Sequence, residues 1–371
     1  MSRLEPLLAW LRTGTATAER RDFPTGTALP DGRLDLCKSA LGPDDAARVT
    51  EALRPGVVKH LLLGTDGLGD GAADVAGQAV EREVETLYLG CNGITAGGVC
   101  RIADNLRMSP QAGKVTGVWL KRNPIGDGDA AAAIVASARS LRTLDLVQTD
   151  LDALGVASLV AAILTAAGAG RRIERLYLGG NPLGPAGAAH LAALLAADAV
   201  TELYVSAARL GDEGAHVVAD ALKPGSLRRI SLASNGIGPK ATARLVIAAA
   251  RAGVEVCDLG RVKAARVLDA PDNRLDEAAT TAIAAALAER PHGLRHLVLS
   301  NTGLGSQAAH RLLDGARRAA TPTRFVLGKG VATGIRRRLD LASAAIPERL
   351  PVPADVAAVR SVHRGASDAA S

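Results

Sequence analysis

The chain has 371 residues, and hydrophobic residues make up 48% of it while aromatic residues make up only 2%, so its core has to consist of Leu, Val and Ala. A core without aromatic bulk suits thin, closely stacked layers better than one globular interior. The 44 Lys and Arg are interleaved with 38 Asp and Glu, and the mild net charge of +6 argues against a dedicated nucleic-acid binder.

The N-terminal residues 1–33 lack the pattern that organises the rest of the chain. Glu5 and Pro6 interrupt their apolar stretch, so we do not expect a secretory signal. A stack of repeated units exposes its core at each end, and this segment is expected to form an N-terminal cap over the first strand. The apolar residues expected to form that cap are Leu7, Leu8, Trp10 and Leu11.

From residue 34 to residue 330, the phrase L-x-L-x-x-N-x-L-G recurs. It is clearest at 87–94 (LYLGCNGI) and 176–184 (LYLGGNPLG). Weaker copies begin at Leu34, Leu61, Val118, Leu144, Leu203, Ile230, Cys257, Leu297 and Phe325. Successive copies are 26–32 residues apart, except for one step of 40 residues. This period predicts about eleven copies of one structural unit.

Each part of the phrase has a physical role. The L-x-L triplet predicts a short strand whose two apolar side chains point to the same side. A buried Asn at the end of the strand can bond the backbone of the turn. Asn stands there at positions 92, 123, 181, 235 and 273. Other copies have Ser39, Asp66, Thr149 or Thr302 in its place, whereas Ala208 and Gly330 break the pattern. A Gly-rich link then leads into an Ala/Leu run, in which Leu191, Leu194 and Leu195 are expected to share one helical face.

This pattern resembles the ribonuclease-inhibitor-like subclass of leucine-rich repeats, which has a period of about 27–29 residues and a full helix in each repeat. The resemblance covers about four-fifths of the chain. It implies an α/β solenoid in the form of a horseshoe, with a curved parallel sheet on the concave face and helices on the convex face. The motif is specific for fold and says little about activity, because the same scaffold serves many partners.

The step of 40 residues places about 13 extra residues at 260–272, between a strand and its Asn turn. A loop inserted where a strand leaves the sheet lies on the rim, and long insertions in repeat proteins often make binding contacts. Arg261, Lys263 and Arg266 are the candidate contact residues of this rim loop. The alternative is a surface excursion without function.

Residues 331–371 are expected to form a C-terminal cap followed by a flexible tail. They carry Arg336, Arg337 and Arg338, and then three prolines between positions 347 and 353. An arginine run can bind nucleic acid, but the solvated face of a cap helix is the preferred interpretation.

Four of the seven Phe, Trp and Tyr residues share the central position of the L-x-L triplet, which faces away from the core: Tyr88, Trp119, Tyr177 and Tyr204. Asp145 fills the same position on the intervening strand, so five neighbouring strands are expected to carry a row of roughly 20 Å. The next outward positions hold Gly90, Gly179 and Ser206, which are expected to leave ring faces uncovered.

Exposed Tyr and Trp are typical of binding hot spots, so this row predicts a partner-binding patch. Lys121 and Arg175 add charge beside it. The alternative is that aromatic residues prefer strands and stack on each other across the sheet. That preference explains some enrichment, but not the near absence of aromatic residues from the buried positions.

Sites for catalysis, metals and cofactors are not predicted. The glycines belong to the repeat and form no phosphate-binding motif, and the seven histidines are scattered. The outward acidic residues Asp35, Asp145 and Asp258 lie on separated strands, too far apart for acid–base work. Cys37, Cys91, Cys100 and Cys257 form no CxxC pair, so reduced thiols in a cytoplasmic protein are expected. The uncharged stretch 153–170 is expected to be a repeat helix rather than a membrane span.

These features predict a non-enzymatic, monomeric scaffold that binds a protein or peptide on its concave face. Nucleic acid and membrane are not expected partners. The alternative function is the regulation of a GTPase, because related repeat proteins include the Ran GTPase-activating proteins, although no functional residue of theirs has a match here. A further alternative is an adaptor or effector in a signalling or ubiquitin system, which would normally need an additional segment.

Overall fold

Each predicted repeat forms a short strand, a turn and a helix in that order, and the fold class is α/β. The computed structural model describes residues 2–363. Within these residues the chain divides into two units. The first unit contains residues 2–150, 161–173 and 351–363, and the second contains residues 151–160 and 174–350.

The strands of the described chain are short and mostly three residues long. They are β1 (Arg21–Phe23), β2 (Gly26–Ala28), β3 (Arg33–Asp35), β4 (His60–Leu62), β5 (Thr86–Tyr88), β6 (Gly117–Trp119), β7 (Thr143–Asp145), β8 (Ile173–Tyr177), β9 (Val200–Tyr204), β10 (Arg229–Ser231), β11 (Val256–Asp258), β12 (His296–Leu299) and β13 (Arg324–Leu327).

The helices that follow the strands are mostly three to four turns long. They are α1 (Glu5–Thr13), α2 (Gly42–Ala52), α3 (Ala72–Glu81), α4 (Ala96–Met108), α5 (Gly128–Ser137), α6 (Ala153–Gly168), α7 (Gly184–Ala196), α8 (Gly211–Ala221), α9 (Pro239–Arg251), α10 (Glu277–Glu289), α11 (Ser306–Arg318), α12 (Thr333–Ala342) and α13 (Ala354–Ala358). None of the helices within residues 2–363 is long and apolar enough to cross a bilayer.

The strands of each unit lie in chain order, β3–β7 in the first unit and β8–β13 in the second. Neighbouring strands within β3–β7 and within β9–β13 pair in parallel. Within each of these two sets the register aligns the first apolar residue of the phrase. That residue is buried in all eleven phrases: Leu34, Leu61, Leu87, Val118, Leu144, Leu176, Leu203, Ile230, Cys257, Leu297 and Phe325. On the helical side, Leu191, Leu194 and Leu195 of α7 are buried together, as their spacing predicted. The core is therefore the aliphatic layer between strands and helices.

The N-terminal segment covers the first repeat with more structure than its sequence indicated. Helix α1 buries Leu7, Leu8, Trp10 and Leu11. Strands β1 and β2 form an antiparallel hairpin, and β2 pairs antiparallel with β3. The ring of Trp10 lies 5.4 Å from that of Phe23, measured between centroids. The hairpin thus pairs the edge of β3, which would otherwise expose unpaired backbone groups.

The five predicted Asn residues at the ends of strands bond the backbone of the turns. The side-chain Nδ2 of Asn123 donates to the carbonyl oxygens of Leu89 and Leu120, at 3.0 and 2.8 Å. Its Oδ1 accepts from the N–H groups of Asn92 and Ile94. Because each Asn serves the turn of the preceding repeat, these residues form a hydrogen-bonded ladder along the stack.

The ladder also explains how one exception is tolerated. Ala208 lacks a polar side chain, but its N–H donates to Oδ1 of Asn235 in the following repeat at 2.9 Å. Its carbonyl oxygen accepts from the N–H of Gly184 at 3.0 Å. The backbone at this turn is therefore satisfied by its neighbours.

Candidate functional site

The first unit carries two rows of outward-facing residues on its sheet, on either side of the buried central row. The N-terminal row is Arg33, His60, Thr86, Gly117 and Thr143. The second row is Asp35, Leu62, Tyr88, Trp119 and Asp145. The predicted positions Tyr88, Trp119 and Asp145 are therefore brought side by side on three neighbouring strands.

The indole of Trp119 is not displayed as expected, because only 4% of the residue is exposed. Its ring lies against the neighbouring Gly117 of the same strand. A Cβ atom at position 117 would stand 2.1 Å from Cζ3 of Trp119, so any other residue there would displace the ring. Gly117 thus leaves space for the indole ring to lie along the sheet, and the ring is buried there.

Tyr88 is half-buried, and its ring face is not left open by Gly90. The ammonium group of Lys121 lies 5.2 Å from the ring centroid, as in a cation–π contact. The Lys121 stem crosses Gly90, where a Cβ atom would lie 3.0 Å from its Cγ. Burial raises the pKa of the Tyr88 phenol, so the ring stays neutral beside the ammonium group. Gly90 therefore leaves space for the side chain of Lys121, which covers the ring face that was expected to be open to a partner.

The outward aspartates bond the backbone of the turns that follow them. Oδ1 of Asp35, Asp145 and Asp258 each accepts a hydrogen bond from the N–H two residues further along the chain. These bonds end the strand in the same way as an Asx turn. Burial raises the pKa of Asp145 to about 6 and also raises that of Asp258.

In the second unit, Tyr177 and Tyr204 form a stacked pair. Their ring centroids are 4.4 Å apart and the planes differ by 6°. Both residues are half-buried, and the Tyr204 hydroxyl donates to Oε2 of Glu202 at 2.6 Å. Stacking across the sheet is what strand preference alone would produce. It also holds two amphipathic rings in one rigid arrangement on the outward face.

A charged network lies beside the tyrosine pair. Glu202 is buried and contacts two guanidinium groups, with distances of 3.7 Å to Nε of Arg175 and 3.6 Å to Nε of Arg229. Arg175 also lies 3.5 Å from Glu174. Arg175, which was predicted to add charge for a partner, is therefore already engaged within the chain.

The insertion at 260–272 folds into a compact series of turns. Val262, Ala265, Leu268 and Ala270 pack with Ala207 into a small apolar cluster. Of the three basic residues predicted for this rim loop, Arg261 forms an ion pair with Asp272 at 3.3 Å. Lys263 and Arg266 are exposed.

Residues 351–363, which we name the C-terminal strap, lie on the outward face of the first unit. Asp35 Oδ2 accepts from the backbone N–H groups of Val362 and His363. Arg33 donates to the carbonyl oxygen of Arg360 at 2.7 Å. This segment falls within the predicted flexible tail, whose last residues, 364–371, lie outside the described part of the chain.

The residues just before the strap contact the outward face of the second unit. Arg324 of β13 donates to the carbonyl oxygen of Ile346 at 2.9 Å. His296 of β12 lies 2.9 Å from the carbonyl oxygen of Pro347 through Nε2, which donates in this contact. Sequence reasoning missed both contacts and the strap itself. The available signal was the apolar content of residues 351–363, which include four valines.

The possible metal ligands and the cysteines of the described residues are dispersed. Within residues 2–363 no three His, Cys, Asp or Glu side chains are grouped closely enough to hold a metal ion. The four cysteines are free thiols, with Cys37 and Cys257 buried.

No protein-family model matches the chain. It is similar to leucine-rich repeat-containing protein 73 of Rattus norvegicus and of Homo sapiens, each 32% identical over 186 residues. These residues are 48% of this chain and 54% of each relative, so the chain spans about half the length of the curated relatives it matches. Among solved structures it is similar to a chain described as "Crystal structure of Rad7 and Elc1 complex in yeast", with a TM-score of 0.43 and 14% identity, covering 78% of this chain and 72% of that chain.

Proposed function

We propose that the chain is a non-enzymatic, cytoplasmic scaffold that binds a protein or peptide through the outward faces of its sheets. We also assign its repeats to the ribonuclease-inhibitor-like subclass. The subclass is supported by the steps of about 27 residues and by the full helices between successive strands. The non-enzymatic role is supported by the outward aspartates, each of which bonds its own turn.

The stacked pair of Tyr177 and Tyr204 carries the proposal. Tyrosines supply large contact areas with a polar tip, and they dominate the energetics of many interfaces. Here stacking and the bond to Glu202 hold the rings in place before any partner arrives. Binding to such a fixed pair costs little side-chain entropy. Trp119 is buried and Lys121 lies over the ring of Tyr88, whereas the exposed Lys263 and Arg266 of the rim loop extend the proposed surface.

The first prediction concerns this pair. We expect the double variant Tyr177→Ala, Tyr204→Ala to bind its partner at least 10-fold more weakly, because the anchoring rings are removed. The measurement is the Kd of the purified complex, with the partner identified by cross-linking to the wild-type chain. Met108→Ala, which removes a well-exposed apolar side chain at the end of α4, is the matched control.

Two results would contradict the proposal. The first is unchanged partner affinity in a double variant that keeps its circular dichroism spectrum and melting temperature. The second is an affinity that falls steeply with salt, because this is the behaviour of a chain that neutralises the phosphates of a polynucleotide.

A further inference from the structure

The C-terminal strap, which consists of the short helix α13 between two non-helical ends, already occupies the outward face of the first unit. It contacts the N-terminal row on the first and the last of the parallel strands of this unit, at Arg33 of β3 and at Thr143 of β7. Between these contacts, α13 presents Ala358 with only 2% of its surface exposed. The strap is therefore packed against the unit to which it belongs.

The contacts on β3 are directed at the main chain of the strap. Arg33 donates to one strap carbonyl oxygen, and Asp35 accepts from two consecutive strap N–H groups. Arg33 is 8% exposed and Asp35 is fully buried. Arg33 also pairs with Asp31, and Asp35 also bonds the N–H of Cys37, so the strap satisfies two further atoms, Nη1 of Arg33 and Oδ2 of Asp35. Since every peptide offers the same main-chain groups, these two residues fit a non-helical segment of many sequences.

Two further contacts select for side chains. Thr143 donates to Oδ2 of Asp355 at 3.3 Å, and Oγ1 of Thr27 lies 3.2 Å from Nδ1 of His363. Ala358 is covered between them, so a small residue is required at that position of the occupant. The face thus binds the main chain of its occupant and also favours three side chains in order: an acidic residue, a small residue and a histidine, as at Asp355, Ala358 and His363.

We propose that this face is a binding site for a short peptide, that the strap is its resident occupant, and that an external peptide binds only after the strap leaves. The inference rests on the proposed function and specifies the partner as a peptide segment that, like the strap, has one helical turn followed by a non-helical end. An occupant tethered to its site is present at an effective concentration on the order of mM, so the strap outcompetes a free peptide of the same sequence.

The test is a substitution that displaces the strap in the full chain. In Ala358→Arg a long charged side chain replaces a covered methyl group, so the strap cannot pack as before. Ala354→Arg places the same side chain on an exposed position of the same helix and is the matched control. The probe is a fluorescent synthetic peptide of residues 351–363, PVPADVAAVRSVH.

We expect the peptide to bind Ala358→Arg at least 10-fold more tightly than it binds the wild type or Ala354→Arg, measured by fluorescence anisotropy. Equal affinity for all three chains would show that the strap does not occlude the face. An absence of binding to the opened chain at 1 mM peptide would show that the face does not take a separate peptide. Either result overturns the inference.

A second route covers the case in which Ala358→Arg does not fold. A protease site introduced at the exposed residues 351–352 allows the wild-type face to be opened after folding. The cut chain should release the strap on dilution and then bind the labelled peptide, and retention of the strap with no peptide uptake contradicts the inference.

The two proposals fail separately. Loss of partner binding in the tyrosine variant, together with no peptide binding to the opened chain, leaves the proposed function standing and removes this inference. Peptide binding to the opened chain, together with an unaffected tyrosine variant, supports this inference and contradicts the proposed role of the tyrosine pair.

Discussion

Asp66 occupies the ladder position that is Ser39 in the preceding repeat and Asn92 in the following one. Its Oδ1 accepts from the N–H of Ser39 at 2.9 Å, as an Asn oxygen would. In the following repeat, Nδ2 of Asn92 donates to two carbonyl oxygens, whereas the corresponding atom of Asp66 is an oxygen. Oδ2 of Asp66 is buried and has no hydrogen-bond partner within the described chain. A carboxyl group can replace the missing donor only when it is protonated.

This arrangement makes the stability of the first unit depend on pH. Burial raises the pKa of Asp66 to about 7 from an ordinary 3.8, despite backbone hydrogen bonds that lower it. The neutral acid is therefore favoured in the folded chain. Its contribution is fully present below about pH 4 and is lost as the pH rises to about 7, because only the unfolded chain ionises freely in that window.

We predict that Asp66→Asn stabilises the chain increasingly with pH. The gain in the free energy of unfolding should be small at pH 4 and reach up to about 4 kcal/mol above pH 7. Urea denaturation of both chains at a series of pH values measures the difference. Asn123→Asp, the reverse change at another position of the ladder, should destabilise the chain as the pH rises. Parallel pH profiles for the wild type and Asp66→Asn would refute the prediction.

At the scale of elements, the insertion at 260–272 shows how a repeat tolerates extra residues. Its turns are closed by backbone hydrogen bonds, such as that from the N–H of Ala270 to the carbonyl oxygen of Ala265. The N–H of Val262 also donates to Oγ of Ser234 at 3.0 Å. Ala265 is fully buried, whereas Val267 is 87% exposed. The inserted segment is thus a small folded element with an inner and an outer side.

We predict that these two sides respond differently to the same substitution. Ala265→Glu places an unpaired carboxylate in the apolar cluster and should open the insertion, because a buried charge without a partner is strongly unfavourable. Val267→Glu should change the free energy of unfolding by no more than about 0.5 kcal/mol. Hydrogen exchange of the Ala270 amide reports the difference. Equal protection in both variants would mean that the insertion is not held by this cluster.

At the scale of the whole molecule, the C-terminal strap contacts residues near the N-terminus. Asp35 and the strap residue His363 are 328 positions apart in sequence, yet both belong to the first unit. Nη1 of the buried Arg33 and Oδ2 of the buried Asp35 both bond the backbone of the strap. Completion of the first unit therefore requires a segment that follows the second unit in the sequence.

We predict that displacing the strap weakens one unit only. In Ala358→Arg, hydrogen exchange should increase in β2 and β3 of the first unit, where Thr27, Arg33 and Asp35 lose their contacts with the strap. Exchange in β9–β11 of the second unit should remain as in the wild type and in Ala354→Arg. Uniformly increased exchange in both units would indicate general unfolding and would contradict this assignment.

The sequence alone determined the repeat, the α/β class, the buried central residue of each strand and the asparagine ladder. Each of these depends on the short sequence pattern of the repeat, which recurs in every copy. Tertiary packing decided the rest. The burial of Trp119, the placement of Lys121 over Tyr88 and the antiparallel hairpin before β3 each depend on contacts outside the repeat phrase. The strap on Arg33 and Asp35 joins residues more than 300 positions apart, and no local pattern of hydrophobicity specifies which distant surface such a segment will cover.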